Sequence, residues 1–457
     1  MKLENSINKI LKDVPGYEVF LTVDELDAST QELAKKFPEI IELQQIGYSR
    51  QGSPITVLKI GNGPKKALLF ALPHPNEPIG SMMLEYLTAR LAEDENLRED
   101  FGYTWYIIKC VDPDGTRLNE DWFKGPFTAT NYARHFYRPP SHLQVEWTFP
   151  VKYKTLNYST PLPETQALMD LIEKIKPDFI YSLHNSGFGG VYVYMSEEAP
   201  EFTEPFYKLV KEQNLPLHLG EPEMPMLKAY SPAIFGLPTI QEMYDFMEQN
   251  TDTDPAITMA GSSSFEYAQK FCEPLVLICE MPYWHSAAIN DTSPSDMVRK
   301  EAVLQNLAES RKYWKEIGQV FETARTYLTK ENPFEQTIEK FIEQSEISLI
   351  AMESFSKANP DFEETATVAE KFDNLTLSKF YQLLSTGMLV RMIEMELDEN
   401  RKSPELALLF TQVKQQFDLD TTLFESGIIY ERIPIQKLVR VQLGSALLMM
   451  NLLKNQT

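Results

Sequence analysis

The sequence predicts an α/β domain with a mainly parallel, mixed β-sheet and helices on both faces, followed by an all-α C-terminal region. Between about residues 17 and 290, short apolar runs alternate with longer stretches of helical periodicity, which is typical of a mainly parallel sheet. After about residue 291, glycine and proline become rarer and helical periodicity dominates. We therefore expect an α/β domain at residues 1–290 and a helical extension at residues 291–457.

Five apolar runs are the predicted strands. Each is rich in aliphatic and aromatic residues and bounded by proline or glycine, as buried strands are. The runs cover residues 55–61, 66–74, 103–113, 178–186 and 274–282. Apolar residues at three- and four-residue spacings predict helices at 79–95 and 164–176. The segments 114–163 and 187–265 match neither pattern, and we expect them to be long loops that form the walls of a cleft.

Composition excludes several functional classes. The 457 residues include 66 acidic and 43 basic ones, which gives a formal net charge of -23. A surface of this sign repels phosphate backbones and anionic lipids, so we expect neither nucleic acid nor a membrane as a partner. A hydrophobic content of 43% is that of a folded globular protein.

The chain is expected to be cytoplasmic. Charged and amide side chains interrupt the first twenty residues, which therefore lack the apolar core of a secretory signal. The apolar stretch 443–453 is too short to span a bilayer. The three cysteines, Cys110, Cys272 and Cys279, form neither an even-numbered disulfide framework nor a paired zinc-binding motif.

Ionisable residues stand where three of the predicted strands end. His74 ends the run that begins at residue 66, His184 follows the apolar residues 179–183, and Glu280 follows residues 275–279. In open parallel sheets, active sites form beyond the carboxyl ends of the strands. We therefore expect these side chains to meet at one edge of the sheet.

The pair His74 and Glu77 has the spacing of two metal ligands on one turn. An imidazole nitrogen and a carboxylate oxygen can share an ion at about 2.0–2.2 Å from zinc. Such a pair is common by chance, and either histidine alone would more often be a surface or core residue. Adding His184 gives two nitrogen ligands and one oxygen ligand, which leaves a fourth position open as in catalytic zinc sites. The sequence thus predicts a single zinc ion per chain, held by His74, Glu77 and His184.

Four further residues are candidates for the chemistry around the metal. Poor solvation at the end of an apolar strand raises the pKa of a carboxyl group, so Glu280 is the expected general base. Arg117, just after a Pro-Asp-Gly turn, is expected to stabilise an oxyanion. Arg134 and Arg138 are candidates for binding a substrate carboxylate, or alternatively partners in structural ion pairs.

These motifs resemble those of the carboxypeptidase A family of zinc metallopeptidases, over about residues 15–290. HPNEPIG resembles the first zinc motif, DPDGTRLNE the segment with the oxyanion arginine, SLHNSG the third-ligand motif and PLVLICEMP the strand of the catalytic glutamate. The resemblance implies a phosphorylase/hydrolase-like fold and a zinc carboxypeptidase-like catalytic domain. It also implies hydrolysis of C-terminal peptide or other amide bonds by zinc-activated water, with Glu280 as the base.

The chain departs from the family pattern in two places. The family's Asp-x-Asn-Arg motif, which orients a zinc histidine and binds the substrate carboxylate, is similar here to residues 131–134. Asn131 then replaces the acid and Ala133 the asparagine, while Arg134 is kept. The resemblance therefore implies that Asn131 belongs to the substrate-binding residues together with Arg134 and Arg138. The family's substrate-closing tyrosine has three candidates: Tyr230, Tyr244 and Tyr267.

Two other functions are alternatives to a carboxypeptidase that acts on small peptides. A related zinc enzyme would remove the acyl group from N-acyl amino acids. A protein of another class would be an inactive zinc fold that binds a partner or acts as a scaffold through its helical extension. The helical extension is also where a homo-oligomer would form.

Overall fold

The computed structural model describes residues 2–329, 331–399 and 403–455. Its strands are β1 (Ile41–Tyr48), β2 (Pro54–Ile60), β3 (Lys65–Ala71), β4 (Tyr103–Ile108), β5 (Val151–Tyr153), β6 (Leu156–Tyr158), β7 (Phe179–His184), β8 (Tyr192–Met195), β9 (Ala229–Ser231), β10 (Ile234–Gly236), β11 (Leu275–Glu280), β12 (Trp284–His285), β13 (Pro294–Val298), β14 (Thr365–Thr367) and β15 (Glu431–Arg432). Nine of these strands form one mixed sheet, in the order β1-β2-β4-β3-β7-β11-β8-β10-β9.

The centre of the sheet is parallel and its edges are antiparallel. The neighbours β4, β3, β7 and β11 all run in the same direction. All six residues of β7 and all six of β11 are buried, because helices cover both faces of the sheet. This burial explains why these strands read as continuous apolar runs rather than as alternating patterns.

The helices of the α/β part are α1 (Lys2–Lys12), α2 (Val23–Lys36), α3 (Ile79–Glu93), α4 (Glu95–Phe101), α5 (Pro113–Arg117), α6 (Glu120–Phe123), α7 (Ala129–His135), α8 (Pro163–Ile175), α9 (Pro200–Glu212), α10 (Ile240–Asn250) and α11 (Ser264–Ala268). Helices α8 and α11 pack on one face of the sheet, and α3 and α9 pack on the other. The predicted helices at 79–95 and 164–176 correspond to α3 and α8.

The rest of the chain is mainly helical, as predicted. Its helices are α12 (Arg299–Arg325), α13 (Pro333–Ala358), α14 (Val368–Phe372), α15 (Ser378–Glu399), α16 (Pro404–Gly427) and α17 (Ile435–Asn455). The short strands β13, β14 and β15 are exceptions. The predicted fold class, a mainly parallel mixed sheet followed by a helical region, is confirmed.

The last helix returns to the sheet. Helix α17 packs on the same face as α3 and α9, and its apolar side chains belong to the core cluster that contains the side chains of β3, β7 and β11. The side-chain amide of Gln442 donates a hydrogen bond to the carbonyl of His184 at 2.8 Å, and the hydroxyl of Tyr181 donates to the carbonyl of Gln442 at 3.0 Å. The hydrophobic core therefore continues across the boundary predicted at residue 290.

The two segments expected to be loops are more structured than predicted. The segment 187–265 contributes three strands of the main sheet, β8, β9 and β10, and the helices α9 and α10. These strands have only three or four residues each, too few to show a period in the sequence. Within the described ranges, none of the helices combines the length and the apolar character needed to cross a membrane.

Candidate active site

Three neighbouring strands bring the predicted site residues to one edge of the sheet. His74 lies three residues beyond the end of β3, while His184 and Glu280 are the last residues of β7 and β11. Glu280 and His184 are direct partners in the parallel register of β11 and β7. Glu77 follows His74 on the turn that leads into α3, and its backbone N–H donates to the carbonyl of His74 at 3.1 Å.

The three predicted metal ligands converge. The Nδ1 atoms of His74 and His184 lie 3.1 Å apart, and the Oε2 atom of Glu77 lies 3.3 Å from the first and 3.2 Å from the second. Ligand atoms at about 2.0–2.2 Å from a tetrahedral zinc ion lie about 3.3–3.6 Å apart. All three side chains are buried. Each offers one ligand atom, and these three atoms lie within 4.8 Å of one another, close enough to hold one metal ion. The donor set and its spacing therefore fit a zinc ion.

The electrostatics of the site favour the protonation states that bind a metal. Burial and the guanidinium of Arg138 lower the pKa of His74 to about 3, so its ring is neutral. Burial opposes ionisation of Glu77, but the permanent charge of Arg138 helps to hold the pKa of Glu77 below its usual range. A neutral imidazole and an ionised carboxylate are the ligating forms of these groups.

A chain of hydrogen bonds fixes the ring of His184. Its Nε2 atom lies 2.9 Å from the hydroxyl of Ser182, and this hydroxyl donates to the Oε2 atom of Glu146 at 3.2 Å. The other oxygen of Glu146 accepts from the hydroxyl of Ser264 at 2.9 Å. Because the serine hydroxyl gives its proton to Glu146, it accepts one from Nε2 and leaves the lone pair of His184 on Nδ1, the atom that faces the other ligands.

Sequence reasoning missed Ser182 and Glu146, although part of the signal was present. Ser182 stands two positions before His184 on the same strand, so the two side chains lie on the same face of the sheet. Glu146 is in a segment expected to be a loop. Only the fold brings Glu146 to this strand.

Arg138 contacts two of the ligands directly. Its Nη1 atom donates to Oε1 of Glu77 at 2.8 Å, and its Nη2 atom lies 2.9 Å from Nδ1 of His74. Since Nδ1 has one lone pair, it cannot bind an ion and accept from Arg138 at the same time. Binding of the ion would therefore separate Nη2 from His74 and leave the guanidinium beside the metal.

Glu280 is a buried carboxyl group without a hydrogen-bond partner in the described part of the chain. Its nearest cation-forming neighbour is Nδ1 of His184, 3.9 Å from its Oε1 atom. Burial, followed by the charges of Glu77 and Glu223, raises the pKa of Glu280 well above its usual range. A bound cation would act in the opposite direction and lower this pKa.

The predicted site opens onto a cavity of about 630 Å³. The α/β part contributes the side that carries His74, Glu77, Arg138 and Glu280. The opposite side comes from the helical region and includes Asn306, Ser310, Trp314, Phe341, Tyr381 and Ser385. The helical region thus forms one wall of the cavity, which the sequence alone did not indicate.

Comparison with known proteins finds a family model that matches much of the α/β part. Residues 26–215 match the model described as zinc carboxypeptidase, and this stretch contains all three metal-ligating candidates and Arg138. This part of the chain is therefore similar to the zinc carboxypeptidase family. The resemblance predicted from the sequence is confirmed, and the match supports a metal-dependent hydrolase. Glu280 and the helical region lie outside the matched residues.

Solved structures with some likeness to the chain are also carboxypeptidases. One is a metallo-carboxypeptidase from Burkholderia cenocepacia, with 19% identity and a TM-score of 0.35 over 57% of this chain and 60% of that one. Another is carboxypeptidase A from Helicoverpa armigera, with 15% identity and a TM-score of 0.39 over 63% of this chain and 73% of that one. The chain thus spans less than two thirds of the first of these proteins. At such scores the likeness adds nothing to the geometry described above.

The structure does not bring Arg117 or Asn131 into the zinc carboxypeptidase-like site. Arg117 ends the short helix α5 and forms an ion pair with Asp24 at 2.6 Å, with 40% of its side chain exposed. Asn131 donates its side-chain amide to the carbonyl of Pro126 at 2.9 Å. Neither residue lines the cavity. The direction in which each side chain leaves its short helix could not be inferred from the motif.

Arg134 also lies away from the cavity. Its guanidinium pairs with Glu394 of α15 at 2.5 Å, because α7 packs against that helix. This is the structural ion pair that the sequence left open as an alternative. Of the two arginines predicted to bind substrate, only Arg138 lines the cavity.

The three tyrosines considered for closing over a substrate are likewise elsewhere. The hydroxyl of Tyr244 lies 2.7 Å from the hydroxyl of Thr155, and that of Tyr267 donates to Glu173. Tyr230 lines a separate small cavity. The tyrosines that line the main cavity are Tyr132, Tyr192 and Tyr381.

Proposed function

We propose that the chain is a zinc-dependent metallocarboxypeptidase that hydrolyses the C-terminal peptide bond, or a related amide bond, of small peptides. The observation that carries this proposal is the convergence of His74, Glu77 and His184 at the edge of a cavity whose wall includes the buried carboxyl group of Glu280. Two imidazoles and a carboxylate with an open fourth position are typical of catalytic zinc rather than structural zinc.

The metal and Glu280 have complementary parts in this reaction. When bound, zinc supplies a Lewis acid that makes water nucleophilic at neutral pH and polarises the scissile carbonyl. Glu280 accepts the proton of the attacking water on a carboxylate oxygen and then donates it to the departing amine nitrogen. Its burial favours the protonated form, which makes the first of these steps, the acceptance of the proton, easier.

Arg138 takes the part that the sequence assigned to Arg117. Its guanidinium lies beside two of the ligands and lines the cavity, so its N–H groups can stabilise negative charge that develops on the substrate oxygen. A guanidinium also binds carboxylates by paired hydrogen bonds, which suits the terminal carboxylate of a peptide. We therefore propose that Arg138 stabilises the developing oxyanion, binds the terminal carboxylate of the substrate, or does both.

The cavity favours small substrates. A wall formed by α12, α13 and α15 stands opposite the ligands, so a folded protein cannot approach from that side. A volume of about 630 Å³ is within the range of sites for small molecules. We therefore propose short peptides as the substrate class.

Hydrolysis of N-acyl amino acids is a second candidate. It is favoured by the position of Arg134, which would have helped to anchor a peptide's terminal carboxylate but pairs with Glu394 instead. A panel of C-terminally free peptides and N-acyl amino acids would separate the two activities. Faster turnover of the acyl amino acids would replace the peptidase proposal with the deacylase.

The variant Glu280→Gln tests the proposed role of Glu280 as the general base. We expect it to keep its zinc and to lose peptide hydrolysis by about a hundredfold or more, because the amide cannot accept the proton. Glu201→Gln, an exposed residue of α9, is the control and should keep the wild-type rate. Wild-type hydrolysis by Glu280→Gln would contradict the proposal, and zinc-loaded wild type without any turnover would favour an inactive binding protein.

The cytoplasmic location is also a proposal. Cys110, Cys272 and Cys279 are free thiols in the structure. Free thiols suit a reducing compartment.

A further inference from the structure

Acidic side chains outnumber basic ones around the cavity. Its described lining includes five carboxyl groups and one guanidinium, that of Arg138. Glu77 belongs to the metal ligands and Glu280 is the proposed base. The remaining three carboxyl groups are those of Glu221, Glu223 and Asp373. The cavity therefore carries more negative charge than the proposed reaction uses.

Two of these three carboxyl groups already have cationic or cation-forming partners. Glu221 accepts from Nε of Arg299 at 3.0 Å, and the Oδ2 atom of Asp373 lies 3.1 Å from Nε2 of His218. The carboxyl group of Glu223 has no lysine, arginine or histidine nitrogen within 4.0 Å among the described residues. Glu223 is thus a carboxylate on the cavity wall to which the described part of the chain supplies no counter-charge.

Two buried tyrosines hold Glu223 in place without neutralising it. The hydroxyl of Tyr194 donates to Oε2 of Glu223 at 2.7 Å, and the hydroxyl of Tyr192 donates to the same atom at 3.2 Å. The tyrosines are only 4% and 6% exposed. Both bonds go to Oε2, so Oε1 is left for another donor.

The helical region fixes the loop that carries Glu223. Besides its contact with His218, Oδ2 of Asp373 accepts from the backbone N–H of Glu221 at 2.8 Å. The side-chain amide of Asn374 donates to Glu221 at 3.0 Å. The position of Glu223 is therefore set from both sides, by the tyrosines of β8 and by residues beyond α14.

Glu223 is also close to the reacting groups. A smaller cavity of about 80 Å³ continues from the site past His184. The two cavities share His74, Arg138, Glu223 and Glu280 in their linings. A substrate held at the metal would thus have part of its structure beside Glu223.

We propose that Glu223 binds a cationic group of the substrate, an ammonium or a guanidinium, and so selects positively charged peptides. The proposal rests on the proposed function, since it concerns the substrate of the same cavity. The cation would donate to Oε1 of Glu223, and a charge-assisted bond of this kind is stronger than one between neutral groups. Two sources supply such a group: the side chain of lysine or arginine, and the free α-amino group of a short peptide.

Kinetics with three matched peptides test this selection. The peptides are acetyl-Ala-Ala-Ala, acetyl-Ala-Ala-Lys and Ala-Ala-Ala, which carry no cation, a side-chain cation and an α-ammonium. We expect the wild type to prefer at least one cationic peptide over the neutral one in kcat/KM. In Glu223→Gln that preference ratio should fall about tenfold or more, because the charge is lost while the shape is kept. Glu201→Gln should keep the wild-type ratio.

The identity of the preferred peptide distinguishes the two sources of the cation. A preference for acetyl-Ala-Ala-Lys assigns Glu223 to a side chain, and a preference for Ala-Ala-Ala assigns it to the amino terminus. A wild type without preference, or a preference that survives in Glu223→Gln, would overturn the proposal.

A binding measurement separates this proposal from the proposed function. Zinc-loaded Glu280→Gln binds substrate with its proposed base removed, so calorimetry can measure its affinity for the same three peptides. The double variant Glu280→Gln/Glu223→Gln should lose about tenfold in affinity for the cationic peptide relative to the neutral one. If this loss occurs but the wild type hydrolyses no peptide, the function fails while the cation site stands. Equal affinities in the single and the double variant would refute the cation site alone.

Discussion

Arg50 joins three segments beside the site. Its guanidinium contacts Oδ1 of Asp112 and Oε1 of Glu164, each at 3.1 Å, and donates to the carbonyl of Leu143 at 3.3 Å. The side chains of Asp112 and Glu164 are completely buried. Asp112 also caps α5, because its carboxylate accepts from the backbone N–H of Gly115 at 3.0 Å. A single arginine thus compensates two carboxyl groups that water cannot reach.

Replacing Arg50 by Met should strongly destabilise the fold. The substitution leaves two buried carboxyl groups without their cation, which typically costs about 3–5 kcal/mol of unfolding free energy. Lys59→Met is the control, since it removes a surface ion pair with Glu42 and should cost less than about 1 kcal/mol. Urea unfolding of both variants measures the difference, and equal losses would contradict the role of Arg50.

The loss in Arg50→Met should depend on pH. Burial, opposed by Arg50, raises the pKa of Asp112 from 3.8 to about 6 in the wild type. A carboxyl group with a higher pKa in the folded than in the unfolded chain stabilises the fold as the pH falls through the folded value. Without Arg50 the folded pKa rises further, so the destabilisation should be smaller at pH 5 than at pH 7. A loss that grows toward pH 5 would contradict this account.

At the scale of residues, strand ends were predictable and side-chain directions on short helices were not. His74, His184 and Glu280 could be located because each follows a continuous apolar run. Arg117 could not, because the motif does not show which way a five-residue helix turns its side chains. Glu223 could not be found at all, since its significance depends on the distant residues that surround the cavity.

Helix α15 lies very close to α7. A Cβ atom at Gly387 of α15 would lie 1.8 Å from the carbonyl oxygen of Ala133 in α7. Only a residue without a side chain permits this approach. The contact joins the helical region to the segment that carries Arg138, so it helps to position one side of the cavity.

The variant Gly387→Ala tests this contact, with Gly318→Ala as a matched control. The first should lower the unfolding free energy by about 2 kcal/mol or more, because the backbones must separate. The second lies in α12, adds a methyl group 3.7 Å from Ile342 of α13, and should raise stability by about 0.5–1 kcal/mol through helix propensity. Thermal unfolding compares the two, and a stable Gly387→Ala would show that the helices are not in close contact.

At the scale of elements, the central strands were predicted and the edge of the sheet was not. Strands β3, β4, β7 and β11 are buried on both faces, which produces long apolar runs. Strands β8, β9 and β10 are short and lie among irregular segments, so they carry no readable period. The wall formed by α12, α13 and α15 was missed because a helical pattern shows which face is apolar but not which partner covers it.

At the scale of the whole molecule, the largest hydrophobic cluster spans both the α/β part and the helical region. Helix α17 covers the face of the sheet next to α3 and α9, and Gln442 is hydrogen bonded to the backbone of β7 and β11. The boundary at residue 290, read from a change in composition, therefore lies within a continuous hydrophobic cluster. A homo-oligomer formed through the helical region stays a prediction.

Truncation after residue 290 should yield a chain that does not fold. Without α17, the apolar side chains of β3, β7 and β11 on that face would be exposed to water, a loss of many buried side chains at about 1.5–3 kcal/mol each. Circular dichroism and size-exclusion chromatography of residues 1–290 check this expectation. A monomeric, cooperatively unfolding fragment would show that the α/β part is independent of the helices.

Zinc content is the most direct test of the central claim, that His74, Glu77 and His184 share one ion. After zinc loading and dialysis, we expect elemental analysis to find about one zinc per wild-type chain. His184→Ala should retain almost none, because a two-ligand site binds weakly, whereas His142→Ala, outside the site, should match the wild type. Retention of zinc by His184→Ala at the wild-type level would contradict the claim.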